Sequence, residues 1–210
     1  MATVREKREK SPASQVLEFV VIIAVALGLA FGIQKFLVKP FRIPSPSMVP
    51  TLDVGQRVLV NRLGSHFGSP HRGDVIVFNP PAGADTHECG GPKSPRQACP
   101  KPTPERSKDN FIKRVIGLPG DRISVKNNRA YVNGKPLNEP YVNKGSFDPA
   151  NCDSLCNLPE PITVPPGSFF MMGDNRGESD DSRDWGPVPK KWIIGGAFFT
   201  YWPPSRVGPL

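Results

Sequence analysis

The chain opens polar, turns apolar or glycine for fifteen residues from Phe19 to Ile33, and then breaks into short apolar runs separated by glycine and proline. Allowing Gln34 and Lys35 as interruptions, the first apolar stretch reaches Val38. Twenty helical residues rise about 30 Å, the thickness of a hydrocarbon core. Glu18 stands at the entry, Lys35 is close enough to the far end to snorkel, and Ser11-Pro12 is a helix start signal. The pattern predicts a transmembrane anchor over 12–38 behind a tail of residues 1–11. A cleavable signal peptide competes, because Arg5, Lys7, Arg8 and Lys10 make a basic leader and Ala30-Phe31-Gly32 has small residues at cleavage spacing. That tripeptide is embedded in apolar sequence that runs on, which favours a retained anchor. The basic residues before the span weakly outweigh Lys35, Lys39 and Arg42 after it. The expected orientation is therefore N-terminus cytoplasmic, single-pass, with the larger segment on the extracytoplasmic face.

Beyond the anchor, β-branched and aromatic runs bounded by turn residues predict strands at 56–60, 74–78, 111–116, 123–126, 129–132, 162–164, 169–172 and 193–201. Asn127-Asn128 and Asn133-Gly134 are hairpin signals. Residues 81–109 hold six prolines and read as a loop insertion, of a length at which loops are functional or disordered. The fold class is mainly β: a larger domain from 39–121 and 165–210, and a small β lobe over 122–164. Proline, 26 of 210 residues, is about twice its usual share and argues against a helical core. The net charge of +8 permits nucleic acid, anionic membrane or acidic partners and selects none.

Four cysteines lie beyond the anchor, Cys89, Cys99, Cys152 and Cys156. An even number suits an oxidising compartment, with Cys89–Cys99 and Cys152–Cys156 the shortest-loop pairing of three. Free thiols are an alternative. A zinc site helped by His71 or His87 is a weaker one, because the cysteine spacings match no common zinc pattern.

The segment FRIPSPSMVPTL, from Phe41 to Leu52, is a proline-pinned serine pair in apolar surroundings. Ser47 stands nine residues past Val38, within about 30 Å of that boundary even if the chain is extended. A nucleophile there suits a membrane-bound substrate. Its base is either a histidine or a lysine. His66, His71 and His87 lie in Gly/Pro/Ser-rich stretches, and no local triad motif such as G-x-S-x-G supports them. Lysine serves as a base only where burial depresses its pKa. Lys113, inside NFIKRVIGLPGD, shares a strand face with Phe111 and Val115, while Arg114 shares the other with Ile112 and Ile116. Periodicity leaves open which of the two is buried.

PSPSMVPTL, GDVIVF, KRVIGLPGD and GDNRGESDDSR, in this order behind an N-terminal anchor, resemble the motif set of bacterial type I signal peptidases, the Ser-Lys proteases. The resemblance implies a signal-peptidase-like antiparallel β catalytic domain with a smaller β lobe. It implies Ser47 as nucleophile, Lys113 as general base, Ser45 as an oxyanion-hole donor beside the Ser47 N–H, and Ser179 as the residue orienting the lysine. Asp181 and Arg183 match the supporting carboxylate and arginine, and Gly173 a close backbone approach. Phe41, Ile43, Pro44, Met48, Leu52 and Ile112 match positions lining two shallow pockets for small residues at substrate positions −1 and −3; the bland reading of all six is core. For the Asp-rich segment it is a surface or calcium loop, and the EF-hand spacing is missing. Pro46 departs from the glycine frequent in the family, and 81–109 looks like a lineage-specific insertion.

The implied partners are membrane-bound preproteins with signal peptides and the lipid bilayer, at work near the secretion translocon, with no nucleic acid. The implied chemistry takes no metal and no organic cofactor. Two rivals stand beside this reading: a non-catalytic membrane-tethered module binding signal sequences or assembly partners, and a specialised peptidase for pilin-like clients.

Overall fold

The computed structural model describes residues 12–62, 68–142 and 155–210; the basic residues Arg5, Lys7, Arg8 and Lys10, with Ser11, His66 and Cys152, lie outside them. The chain divides into two compact units, Met1–Val38 and Lys39–Leu210. The first carries α1, Pro12–Phe36. Its window Gln15–Gly32 has a mean hydropathy of 2.2 and is wholly unburied, so the helix is long and apolar enough to cross a membrane. The helix stops at Phe36, and Val38, expected within the anchor, instead opens a strand. Pro40 supplies the reason, since proline has no amide hydrogen to continue a helix and forces its predecessor into an extended conformation.

The strands run in chain order as β1 Val38–Arg42, β2 Arg57–Asn61, β3 Val75–Phe78, β4 Phe111–Gly117, β5 Arg122–Lys126 and β6 Arg129–Val132. There follow β7 Lys135–Pro136, β8 Leu158–Thr163, β9 Ser168–Met172, β10 Val188–Pro189, β11 Ile193–Trp202 and β12 Gly208–Pro209. The large sheet has the order β1-β2-β11-β3-β4-β9-β10, with β12 pairing β11. The small sheet has the order β7-β6-β5-β8. Its two tight turns follow from sequence: Asn127, Asn128, Asn133 and Gly134 all adopt positive φ, as type I′ hairpins demand, and asparagine and glycine tolerate it best. The fold is mainly β, and both sheets belong to the same compact unit.

Apolar residues gather in three clusters. One, with Ile123, Val125, Leu158, Ile162 and Phe170, fills the space under the small sheet. A second surrounds Phe78, Val115, Met171 and Trp185. The third packs Ile43, Met48 and Leu52 against Val58, Val60, Val75, Val77 and Ile112. The stretch 81–109 is packed rather than structureless. It makes a short turn at Ala84–Thr86, bridges Pro81 to Arg106 and Gln97 to Glu160, and buries Ala98 and Cys99. A disulfide joins Cys89 to Cys99, and Cys99 N donates to Arg183 O at 3.0 Å. Cys156 is disulfide-bonded as well.

Candidate active site

Ser47 sits in a one-turn 3-10 helix, Pro46–Met48, started by Pro46. Proline presets φ for the first helical position, where its missing amide hydrogen costs nothing. Met48 is fully buried in the third apolar cluster and seats the turn from below. From the other side, Asn175 N donates to Ser47 O at 3.1 Å and Asn175 Nδ2 to Pro46 O at 3.3 Å. The serine is thus held by backbone contacts, and its hydroxyl is left for chemistry. Lys113 Nζ donates to Ser47 Oγ at 2.6 Å, and Ser45 Oγ lies 3.3 Å from the same oxygen.

Lys113 projects from β4, opposite Ile76 on β3, and is 4% exposed. Its ammonium stands 5.6 Å from the centre of the Phe111 ring. The bond to Ser47 is the sole hydrogen bond it makes among the described residues. Burial pushes its pKa down from 10.5 to about 8, against the fields of Asp181, Asp180 and Asp174 that pull it up, and with a smaller push from Arg183. Arg114, the rival by periodicity, is spoken for. It makes a bidentate pair with Asp174 at 2.8 and 2.6 Å, donates to Gly73 O at 2.7 Å, and lies 4.0 Å above the Tyr141 ring. Thr51 Oγ1 also donates to Asp174, at 2.5 Å.

The segment after β9 forms the back wall. Asp181 caps a short helix, α2 Ser182–Trp185, accepting from Arg183 N at 3.2 Å. It also accepts from Gly173 N at 3.1 Å, Ser179 Oγ at 2.9 Å and Arg183 Nε at 2.8 Å. Burial alone would raise the Asp181 carboxyl; Arg183, the Gly173 N–H and Lys113 overcome it and hold it below the usual range. Arg183 is fully buried and donates onward to Arg176 O and Ser179 O. Ser179 therefore directs its proton at Asp181, and it makes no hydrogen bond to Lys113 here. Gly173 has to be glycine, because a Cβ there would collide with Ser179 Oγ and lie 2.5 Å from Ser47 O.

A cleft of about 210 Å³ opens on this group, lined by Pro44, Ser45, Ser47, Asn110, Phe111, Ile112, Lys113, Glu178 and Asp180. Of the six pocket residues expected from sequence, Pro44 and Ile112 reach its wall. Ile43, Met48 and Leu52 are at most 1% exposed and form the core behind it, with Phe41 packed on that core. Residue type alone does not separate a wall from the layer behind it. Sequence reasoning also passed over Asn110, Glu178 and Asp180 on the cleft and Asn175 beneath Ser47. Their signal was available, since Asn175, Glu178 and Asp180 stand inside the GDNRGESDDSR segment. The described histidines are elsewhere: His71 is 88% exposed beside Asp74, and His87 is 55% exposed between Asp180 and Asp184.

A larger cavity, about 460 Å³, is lined by Ser69, His71, Arg114 and Phe198 among others. Lys190 Nζ donates to Ser69 Oγ there at 3.3 Å, in an exposed contact. That is a second serine–lysine pair, but one that lies in solvent. Burial, rather than residue identity, distinguishes the Ser47–Lys113 pair.

Comparison with known proteins gives a consistent result. Residues 16–202 match the family described as signal peptidase, peptidase S26. A probable signal peptidase I-1 from Synechocystis is 40% identical over 202 residues, covering 95% of this chain and 89% of the relative. Signal peptidase I from Leptolyngbya laminosa is 38% identical, covering 94% and 85% respectively. Signal peptidase IB from Staphylococcus aureus is 34% identical, covering 91% and 92%.

Proposed function

The chain belongs to the signal peptidase family, peptidase S26, and from that premise we propose that Ser47 and Lys113 are the dyad by which this serine endopeptidase removes signal peptides from preproteins. The observation that carries the assignment is the 2.6 Å contact of Ser47 Oγ with a lysine nitrogen that burial has brought toward neutrality. Neutral Lys113 accepts the Ser47 hydroxyl proton as Oγ attacks the scissile carbonyl. The C–N bond then breaks, Lys113 returns the proton to the leaving amine, and an acyl-enzyme remains. A water gives a proton to Lys113 as it attacks the ester, and Lys113 passes that proton to Ser47 Oγ as the acyl–Oγ bond breaks, which restores both groups. The chemistry needs no metal and no organic cofactor. Ser179 and Arg183 act through Asp181 as positioning residues, fixing the carboxylate whose field reaches Lys113.

The Ser45 hydroxyl and the Ser47 N–H are assigned to the developing oxyanion. Ser45→Ala should leave the fold and substrate binding largely intact and lower turnover by about 10²–10³, the usual cost of one such donor. Single-turnover kinetics on the full chain would measure it, and unchanged turnover would remove Ser45 from the mechanism.

The substrate is proposed to lie extended along the cleft. β3 pairs with β4 along Phe111–Arg114, whereas on the opposite side β9 pairs with β4 only from Arg114 onward, so that edge of Phe111–Lys113 has no strand partner among the described residues. An extended peptide can add there. Purified protein acting on a generic Ala-x-Ala preprotein tests the reading against a binding module and against a peptidase dedicated to pilin-like clients. Glycine for alanine at −1 should change the rate modestly, by about 1–3 kcal/mol at most, whereas leucine or phenylalanine should clash with the walls at Pro44 and Ile112. Efficient cleavage after phenylalanine would contradict this placement of the pocket. The same reading places the chain in the cell membrane through α1 alone, N-terminus inside and the β unit outside, near the translocon.

A further inference from the structure

We propose that His87, Asp180 and Asp184 form a binding site for one divalent transition-metal cation of the zinc or cobalt type, tying the 81–109 insertion to the segment that carries Ser179. His87 Nδ1 lies 3.5 Å from Asp184 Oδ2 and 3.8 Å from Asp180 Oδ1. The three ligand atoms are all within 4.8 Å of one another. Two atoms that each sit about 2.1 Å from one tetrahedral ion are about 3.4 Å apart, so both measured separations are close to those of a shared ion. They are too long for hydrogen bonds.

A second observation points the same way. The Asp184 side chain is 8% exposed, yet its Oδ2, the atom that faces His87, has no hydrogen-bond partner. A buried carboxylate oxygen left without a partner is costly, and such atoms in native structures generally mark an ion or water. Imidazole nitrogen together with two carboxylates suits zinc, cobalt or manganese better than calcium, which prefers oxygen ligands alone. The cysteines play no part here, since Cys89 is bonded to Cys99. A bound ion would clamp the insertion onto the rim of the catalytic cleft, because Asp180 also lines that cleft.

The test uses the untagged full chain in detergent, stripped with EDTA and titrated with Co²⁺ as the probe. One equivalent should bind in the micromolar range, with visible absorption bands that Zn²⁺ displaces. His87→Ala and Asp180→Asn alter side chains that are 55% and 54% exposed, so the fold is not at stake. Each should weaken binding at least tenfold. His71→Ala and His66→Ala should not; the former removes the other described histidine with a carboxylate neighbour, Asp74 at 3.7 Å. No binding below millimolar Co²⁺, or undiminished binding in both the His87 and Asp180 variants, would overturn the proposal and leave a histidine packed beside two aspartates. Cleavage of the Ala-x-Ala substrate in EDTA, assayed separately, keeps the fate of this site distinct from that of the peptidase.

Discussion

Lys113→Arg should be as inactive as Lys113→Ala, losing on the order of 10⁴-fold or more in turnover, as loss of a general base does in other serine proteases. Arginine keeps the charge and much of the length, but its guanidinium is not deprotonated in a protein. On the proposed dyad the working form is neutral Lys113, favoured above the pKa of about 8 to which burial lowers it. The rate should therefore climb with pH along a limb centred near 8, with no inflection near 6.5 of the kind histidine gives. Stability moves in the same direction. In the unfolded chain Lys113 stays protonated up to about 10.5, so between about 8 and 10.5 the unfolded state holds the extra proton and stability rises with pH. Below pH 8 the buried charge costs the fold about 3 kcal/mol, an order-of-magnitude figure. Lys113→Met should consequently be dead and yet more stable at pH 7, measured by denaturant titration of the full chain. Substantial activity in Lys113→Arg would sink the dyad and return attention to the histidines.

Asp181→Ala should cost about 3–5 kcal/mol of stability, because it strips the buried Arg183 of its carboxylate partner. The same change frees Ser179 Oγ and Gly173 N from their acceptor. The gentler Asp181→Asn keeps the shape and removes the charge. Since the Asp181 field raises the Lys113 pKa, its loss should move the rising limb of the pH–rate profile below 8. The Asp181 carboxyl titrates below its unfolded value, so the stability it contributes is present above about pH 3.9 and is lost as pH falls through the lowered value. A loss under about 1 kcal/mol in Asp181→Ala, with an unmoved limb in Asp181→Asn, would show that the carboxylate is dispensable.

The long strands could be read from their β-branched runs, and β6 fell on its expected residues. The missed strands β1, β7, β10 and β12 each contain proline, which ordinarily argues against a strand. Proline is tolerated where an amide need not be paired, and β1, β7 and β10 all end their sheets. Within the site, Ser47 stood out by its prolines, but the choice between Lys113 and Arg114 did not follow from alternation. Both faces of β4 are apolar, and what separates the two cations is Asp174, sixty residues further on, which claims Arg114. The stretch 81–109 reads from its six prolines as a loop. That it packs, and that Cys99 reaches the Arg183 backbone, depends on contacts distant in sequence.

Arg176 is fully buried and joins three parts of the chain: it donates to Gly173 O at 3.0 Å, to Asn128 O at 2.6 Å, and pairs with Glu139. Asn128 belongs to the β5–β6 turn, and Glu139 follows β7. The β5–β6 turn and the segment after β7 thus supply two of the acceptors of this guanidinium. For protein engineering this makes the hairpin inseparable from the active centre. A minimal enzyme trimmed of 122–164 would retain Ser47, Lys113 and Asp181, yet would take from Arg176 its contacts with Asn128 and Glu139. It would also lay open the apolar faces of Ile116, Phe170 and Met172 that the small sheet covers.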